Sequence, residues 1–247
     1  MEKPNIDELQ IYRGGDIMVC PGITIHQPTL DEICSYGECA YWNMIYTLTS
    51  VGADLKFQLY DMGIDYTIIS DFELFYSLLR RSYDQSKTWI LTGELDLTEF
   101  QLFSREDSKD KFLYNSRQDI LMEEDSYLRF AETLRSIHGL RRNNQLPANE
   151  ATKQILIEDA REAYEHRRDQ PYVSQLKNLI SAMINSEGFK YGHSQVWDMK
   201  INAFLDSVKR ISKIKNAEAL LQSGYSGFGI NLKEIPEKQL NWMGDLD

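Results

Sequence analysis

The sequence predicts an α+β protein that is mainly helical, with an N-terminal β-hairpin, a small β-containing middle region and a helical C-terminal half. Three observations predict it. Two short alternating runs near the N-terminus flank turn residues. Four β-prone runs cluster between residues 87 and 122. From Asp125 onward, apolar residues recur at helical spacing.

Taken in order, residues 1–15 are polar and predict a loose arm. Asp16–Val19 and Ile23–His26 predict two strands, joined through Cys20-Pro21-Gly22. Thr29 and Glu32 form a capping box. The threonine hydroxyl can accept the third helical N–H, and the glutamate can reach back to the cap N–H. A short helix then ends near Gly37, and a second over Glu38–Thr49 puts Tyr41, Met44, Ile45 and Leu48 on one face. Residues 53–60 predict a helical piece halted by Gly63. Ser70 and Glu73 repeat the capping-box spacing ahead of Phe72, Phe75, Leu78 and Leu79.

Thr88–Leu91, Phe100–Phe103, Phe112–Tyr114 and Ile120–Met122 predict a small sheet or a pair of hairpins. Leu128, Ala131, Leu134 and Ile137 then mark a helix that stops at Gly139. LRRNNQLPAN lacks periodicity and is the best linker, which suggests domains at 1–140 and 141–247 or one continuous domain. Asn149 caps the next helix, and Val173, Leu176, Leu179, Ile180 and Met183 belong to another. Trp197, Ile201, Phe204, Val208 and Ile211 define the last long helix. Gly224, Gly227 and Gly229 end the helical region, ahead of an irregular tail.

Bulk properties narrow the function classes. The chain has 247 residues, 42% of them hydrophobic, enough for one sizeable core. Its formal net charge is −11, so a phosphate backbone would be repelled and nucleic acid is not an expected partner. Cys20, Cys34 and Cys39 form no CxxC pair, which favours a reducing compartment over a disulfide framework. The N-terminus has no signal-peptide pattern, and no apolar run approaches the roughly 18 residues of a membrane span. An intracellular protein without membrane contact is expected.

No catalytic, cofactor or metal motif stands out. Glu123-Glu124-Asp125 point about 100° apart on a helix and favour its N-terminal dipole rather than one shared ion. His26, His138, His166 and His193 show no ligand spacing. A cysteine nucleophile would have His26 as its only local base. GYSGFG follows a helix instead of preceding one, which is wrong for a phosphate loop. The sharpest binding feature is SVKRISKIK, where Lys209, Arg210, Lys213 and Lys215 alternate with apolar residues. Tyr225, Phe228 and Trp242 add aromatics beside it, so Lys209, Arg210, Lys213, Tyr225, Phe228 and Trp242 are the candidate partner-binding residues.

The blocks ITIHQPTLDEICSYGECAYWNMIYTL, DMGIDYTIISDFELF and SQVWDMKINAFLDSVKRI, with the later LNWMGDL, resemble tail assembly chaperones and tail-morphogenesis proteins of phages of Gram-positive bacteria. The resemblance covers roughly 16–80 and 194–246 and transfers no catalytic residue. It implies a non-enzymatic protein of the host bacterial cytoplasm that binds another tail protein, the tape-measure protein foremost. A structural virion subunit is the alternative and a hydrolase a more distant one. Self-association is left open, and no cofactor is implied.

Overall fold

The computed structural model describes residues 7–226 and 231–246. The arm expected at the N-terminus contains a helix, α1 (Glu8–Arg13), capped by the Asp7 carboxylate and closed by Gly14 in the left-handed conformation. Asp7 and Gly14 carry that start and stop in the sequence, but the helix spans only six residues. The hairpin follows as expected: β1 (Ile17–Cys20) pairs antiparallel with β2 (Ile23–Ile25), with a register shift between Met18 and Cys20.

Next come α2 (Leu30–Tyr36) and α3 (Glu38–Thr49). The capping box is present in full. Thr29 N–H donates to Glu32 Oε2 at 2.6 Å, and Glu32 N–H donates to Thr29 Oγ1 at 3.2 Å. Tyr41, Met44, Ile45 and Leu48 on α3 are all fully buried, and burial is worth about 1.5–3 kcal/mol for each of Met44, Ile45 and Leu48. Then follow α4 (Lys56–Asp61), α5 (Asp71–Ser77) and α6 (Gln85–Thr92).

The helix α6 corrects the strand expected at Thr88–Leu91. A short apolar run suits either period. Here burial of Thr88, Ile90 and Leu91 together with a stop at Gly93 decides for helix. The other three runs are strands: β3 (Gln101–Ser104), β4 (Lys111–Asn115) and β5 (Ile120–Met122), antiparallel in the order β3-β4-β5.

The central helix is α7 (Glu124–His138), ended by left-handed Gly139. Tyr127, Phe130, Leu134 and Ile137 on it are fully buried, and it packs on β1, β2, β5, α1, α3, α5 and α10. Beyond the 140–149 loop lie α8 (Glu150–Arg168), α9 (Gln175–Ile184) and α10 (Ile201–Tyr225). Val173 precedes α9 and is exposed, and Trp197 sits in a 3-10 turn before α10 rather than within that helix. Gly224 lies inside α10, which runs on to Tyr225, and Leu232 packs where a Cβ at Gly224 would stand. Gly227 and Gly229 lie outside the described residues. The tail is less irregular than expected, holding a 3-10 turn (Leu232–Glu234) and α11 (Glu237–Leu240) against α10.

One cluster of buried apolar side chains runs from Ile11 to Phe204, crossing position 140. The halves are joined by backbone as well. Leu30 N–H donates to Met199 O at 3.0 Å and Ile201 N–H to Pro28 O at 2.9 Å, around an antiparallel bridge of Thr29 with Lys200.

Candidate functional site

Glu38, the first residue of α3, also organises the start of α9. Its Oε1 accepts the Gln175 N–H at 3.0 Å and the Leu176 N–H at 2.9 Å, and its Oε2 accepts the Ser174 hydroxyl. These are orphan donors of a helix N-terminus, where a carboxylate is favoured by both hydrogen bonding and the dipole. Desolvation pushes the Glu38 carboxyl up, but bonds from Leu176, Ser174, Tyr172 and Gln175 outweigh it and hold the group below its ordinary value. Ser174 caps the same helix by accepting the Lys177 N–H at 3.0 Å.

With α9 pinned there, its apolar face stands opposite α2. Leu30 and Ile33 from α2, Leu176, Ile180 and Ile184 from α9, and Trp197 from the turn line a groove of about 400 Å³. The walls are mostly apolar, with Cys34, Lys177 and His193 at the rim. His193 meets Trp197 edge to face at 6.1 Å. Such a groove can take an apolar segment and offers rim groups for orientation.

The titratable side chains gather elsewhere. His26 Nδ1 lies 2.7 Å from Asp16 Oδ1, and its Nε2 lies 3.3 Å from Glu32 Oε1. Glu32 is itself committed to the α2 cap and lies 3.9 Å from Lys200 Nζ. His26 is therefore held by two carboxylates, while Cys34 and Cys39 are free, exposed thiols and Cys20 is a buried one. His138 is fully buried: its Nδ1 donates to Leu134 O at 2.6 Å, which leaves Nε2 to accept from Tyr41 Oη at 2.5 Å. Burial pulls the His138 imidazole down to about 4 and pushes the Tyr41 phenol well above its ordinary value. Of the acidic run, Glu123 pairs with Arg105, and Glu124 and Asp125 lie in the first turn of α7. Among the described residues, no three of His, Cys, Asp and Glu are grouped to hold a metal ion.

The basic run of α10 meets the chain's own tail. Arg210 Nη1 donates to Trp242 O at 2.6 Å and to Gly244 O at 2.8 Å, and Lys213 Nζ donates to Asp245 O. Lys209 Nζ stands close over Gly139, and Lys215 Nζ donates to Ser186 Oγ at 3.2 Å. Tyr225 is 80% exposed and Trp242 44%. Phe228 lies outside the described residues. The structure thus brings Arg210, Lys213 and Trp242 together and leaves Tyr225 in solvent. The groove, which the sequence did not single out, joins residues about 140 positions apart. Only the apolar stripe of α9, lacking an assigned neighbour, hinted at it.

The protein is mainly helical α+β, with a largely apolar groove between α2 and α9. Residues 167–247, from the last turn of α8 through the tail, match the family model described as YomV second domain, a phage-derived family of the Bacillus phage SPbeta region. That stretch supplies the α9 and Trp197 walls of the groove and the whole of the tail clamp. No curated protein matches the chain. No solved structure matches it either. No helix among the described residues is long and apolar enough to cross a membrane.

Proposed function

We propose that this chain is a non-enzymatic phage protein that binds and shields an apolar segment of another tail protein during tail morphogenesis, with the tape-measure protein as its client. The observation that carries this reading is the groove between α2 and α9. It is largely apolar and encloses about 400 Å³, a shape into which large apolar side chains of a helix or an extended segment can insert. The phage-derived match over residues 167–247 supports the setting, since two thirds of the residues lining the groove come from that stretch.

Shielding needs an apolar contact that is held ready, and here Ile184 and Trp197 are the half-buried apolar side chains at the groove's opening, above the buried Leu30, Ile33, Leu176 and Ile180. Glu38 holds that contact ready by fixing α9 from its N-terminus, so that Ile180 and Ile184 face α2 without meeting it side by side. Co-expression with the tape-measure protein and capture of the pair tests the reading. The wild-type chain retains the client, and Ile184→Lys, which puts a charge into the groove wall, loses most of the captured material. A tape-measure protein that stays soluble and unbound in the presence of the wild-type chain counts against it. Mass spectrometry of purified particles separates a chaperone, absent from virions, from a subunit present in fixed copy number.

A further inference from the structure

The strand β3 lies at the edge of its sheet, and all four of its residues are exposed. Its hydrogen-bonding phase follows from the hairpin turn. Arg105 N–H donates to Asp110 O at 2.9 Å, so position 105 is a hydrogen-bonded pair with β4. Bonded and non-bonded pairs alternate along an antiparallel ladder. Gln101 and Phe103 therefore spend their backbone groups on Tyr114 and Phe112, their partners in register. Leu102 and Ser104 point their N–H and C=O groups away from β4, and no described residue takes them up.

The strand is also unguarded. Edges are commonly protected by charge, proline or a covering element, whereas Gln101-Leu102-Phe103-Ser104 carries no charge or proline. Leu102 and Phe103 are each 43% exposed. On the outer face Phe103 lies against Phe112 with ring centroids 5.7 Å apart and 19° between planes, and Tyr114 stands edge-on to it at 6.3 Å.

We propose that β3 pairs antiparallel with β3 of a second copy of this chain, with Phe103 opposite Phe103 at the two-fold axis. In that register Leu102 of each copy lies opposite Ser104 of the other, and four outward backbone hydrogen bonds form, two on each side of the axis. The outward donors and acceptors of Leu102 and Ser104 are self-complementary about a two-fold axis, which makes the contact isologous and closed. Charge does not oppose the contact over the strand itself: a chain of net −11 meets its twin along its uncharged residues, with Arg105 of each copy beside Gln101 of the other. The two aromatic faces then run on as one surface across a six-stranded sheet. This contact is independent of the groove between α2 and α9 and stands or falls separately from the proposed function.

Sedimentation of the full chain over a wide concentration series tests it. The mass is expected to rise from 28.8 kDa toward twice that value. Leu102→Pro removes an outward N–H that β4 does not use, so the hairpin keeps its ladder and the dimer is lost. Phe103→Cys, in a Cys34→Ser, Cys39→Ser background, gives a disulfide-linked dimer under mild oxidation. A mass that stays monomeric throughout overturns the proposal. So does a dimer that survives Leu102→Pro with the circular dichroism unchanged, or an absence of crosslinking at position 103 in a sample that sediments as a dimer.

Discussion

His138 shows how much a single residue can say about the interior. Its imidazole is fully buried, donates to Leu134 O and accepts from Tyr41, so it is neutral in the folded chain. Burial places its folded value at about 4 against an ordinary 6.5. Between those two values the unfolded chain binds a proton that the folded chain does not, so stability increases with pH across that window. The contribution is complete above about pH 6.5 and is lost as the pH falls toward 4, on the order of 3 kcal/mol in full. Urea denaturation at several pH values checks this, and His138→Gln flattens the slope in that range. Tyr41→Phe removes the donor to a buried ring nitrogen and costs about 1–3 kcal/mol at neutral pH. None of this pairing was legible in the sequence. Tyr41 is placed on the buried face of its helix by spacing, but its partner lies 97 residues away.

At the scale of elements, the local signals were the ones that could be read. Thr29 with Glu32, Asn149 as a cap and Gly139 as a left-handed stop all depend on neighbours within four residues, and all three form. Thr29→Ala should cost about 1 kcal/mol of thermal stability through the lost cap. The misreadings had a common cause: short segments whose tertiary surroundings decide. TWIL within α6 is β-prone by composition, yet Thr88 Oγ1 bonds Leu95 O at 2.9 Å and the run is buried as a helix. Gly224 suits a helix end, yet close packing of Leu232 explains it better. The groove was hidden for the same reason, because periodicity shows that α9 has an apolar face and is silent on what stands opposite. Glu38 is the residue that sets that opposition. Glu38→Ala leaves the Gln175 and Leu176 N–H groups without their acceptor, and amides of 175–184 should exchange with solvent roughly tenfold faster, for a loss of about 1–2 kcal/mol. Hydrogen exchange read by mass spectrometry resolves that segment.

At the scale of the whole molecule, several contacts that hold the described part of the tail to α10 are identifiable. Arg210 holds two carbonyls, Lys213 a third, and Leu232 fills the space left by Gly224. Arg210→Ala with Lys213→Ala should leave the melting temperature nearly unchanged while making residues 231–246 the first site of limited proteolysis. Gly224→Ala should do likewise, because its Cβ would meet Leu232 Cγ at 2.3 Å. The cationic face that the sequence offered to a partner is, at Lys209, Arg210, Lys213 and Lys215 alike, already engaged or close-packed within the chain.

The short bridge between Thr29 and Lys200 has a consequence for synthesis. Pro28 O and Leu30 N–H wait for Ile201 and Met199, so the backbone bonds on either side of Thr29 are completed only after some 170 further residues have been made, although the capping box itself can close locally. Closing so long a loop is entropically costly and slow. A nascent chain therefore holds the Pro28–Leu30 edge open until residue 201 has emerged, and a fragment cut at the 140–149 loop would carry an unfinished seam.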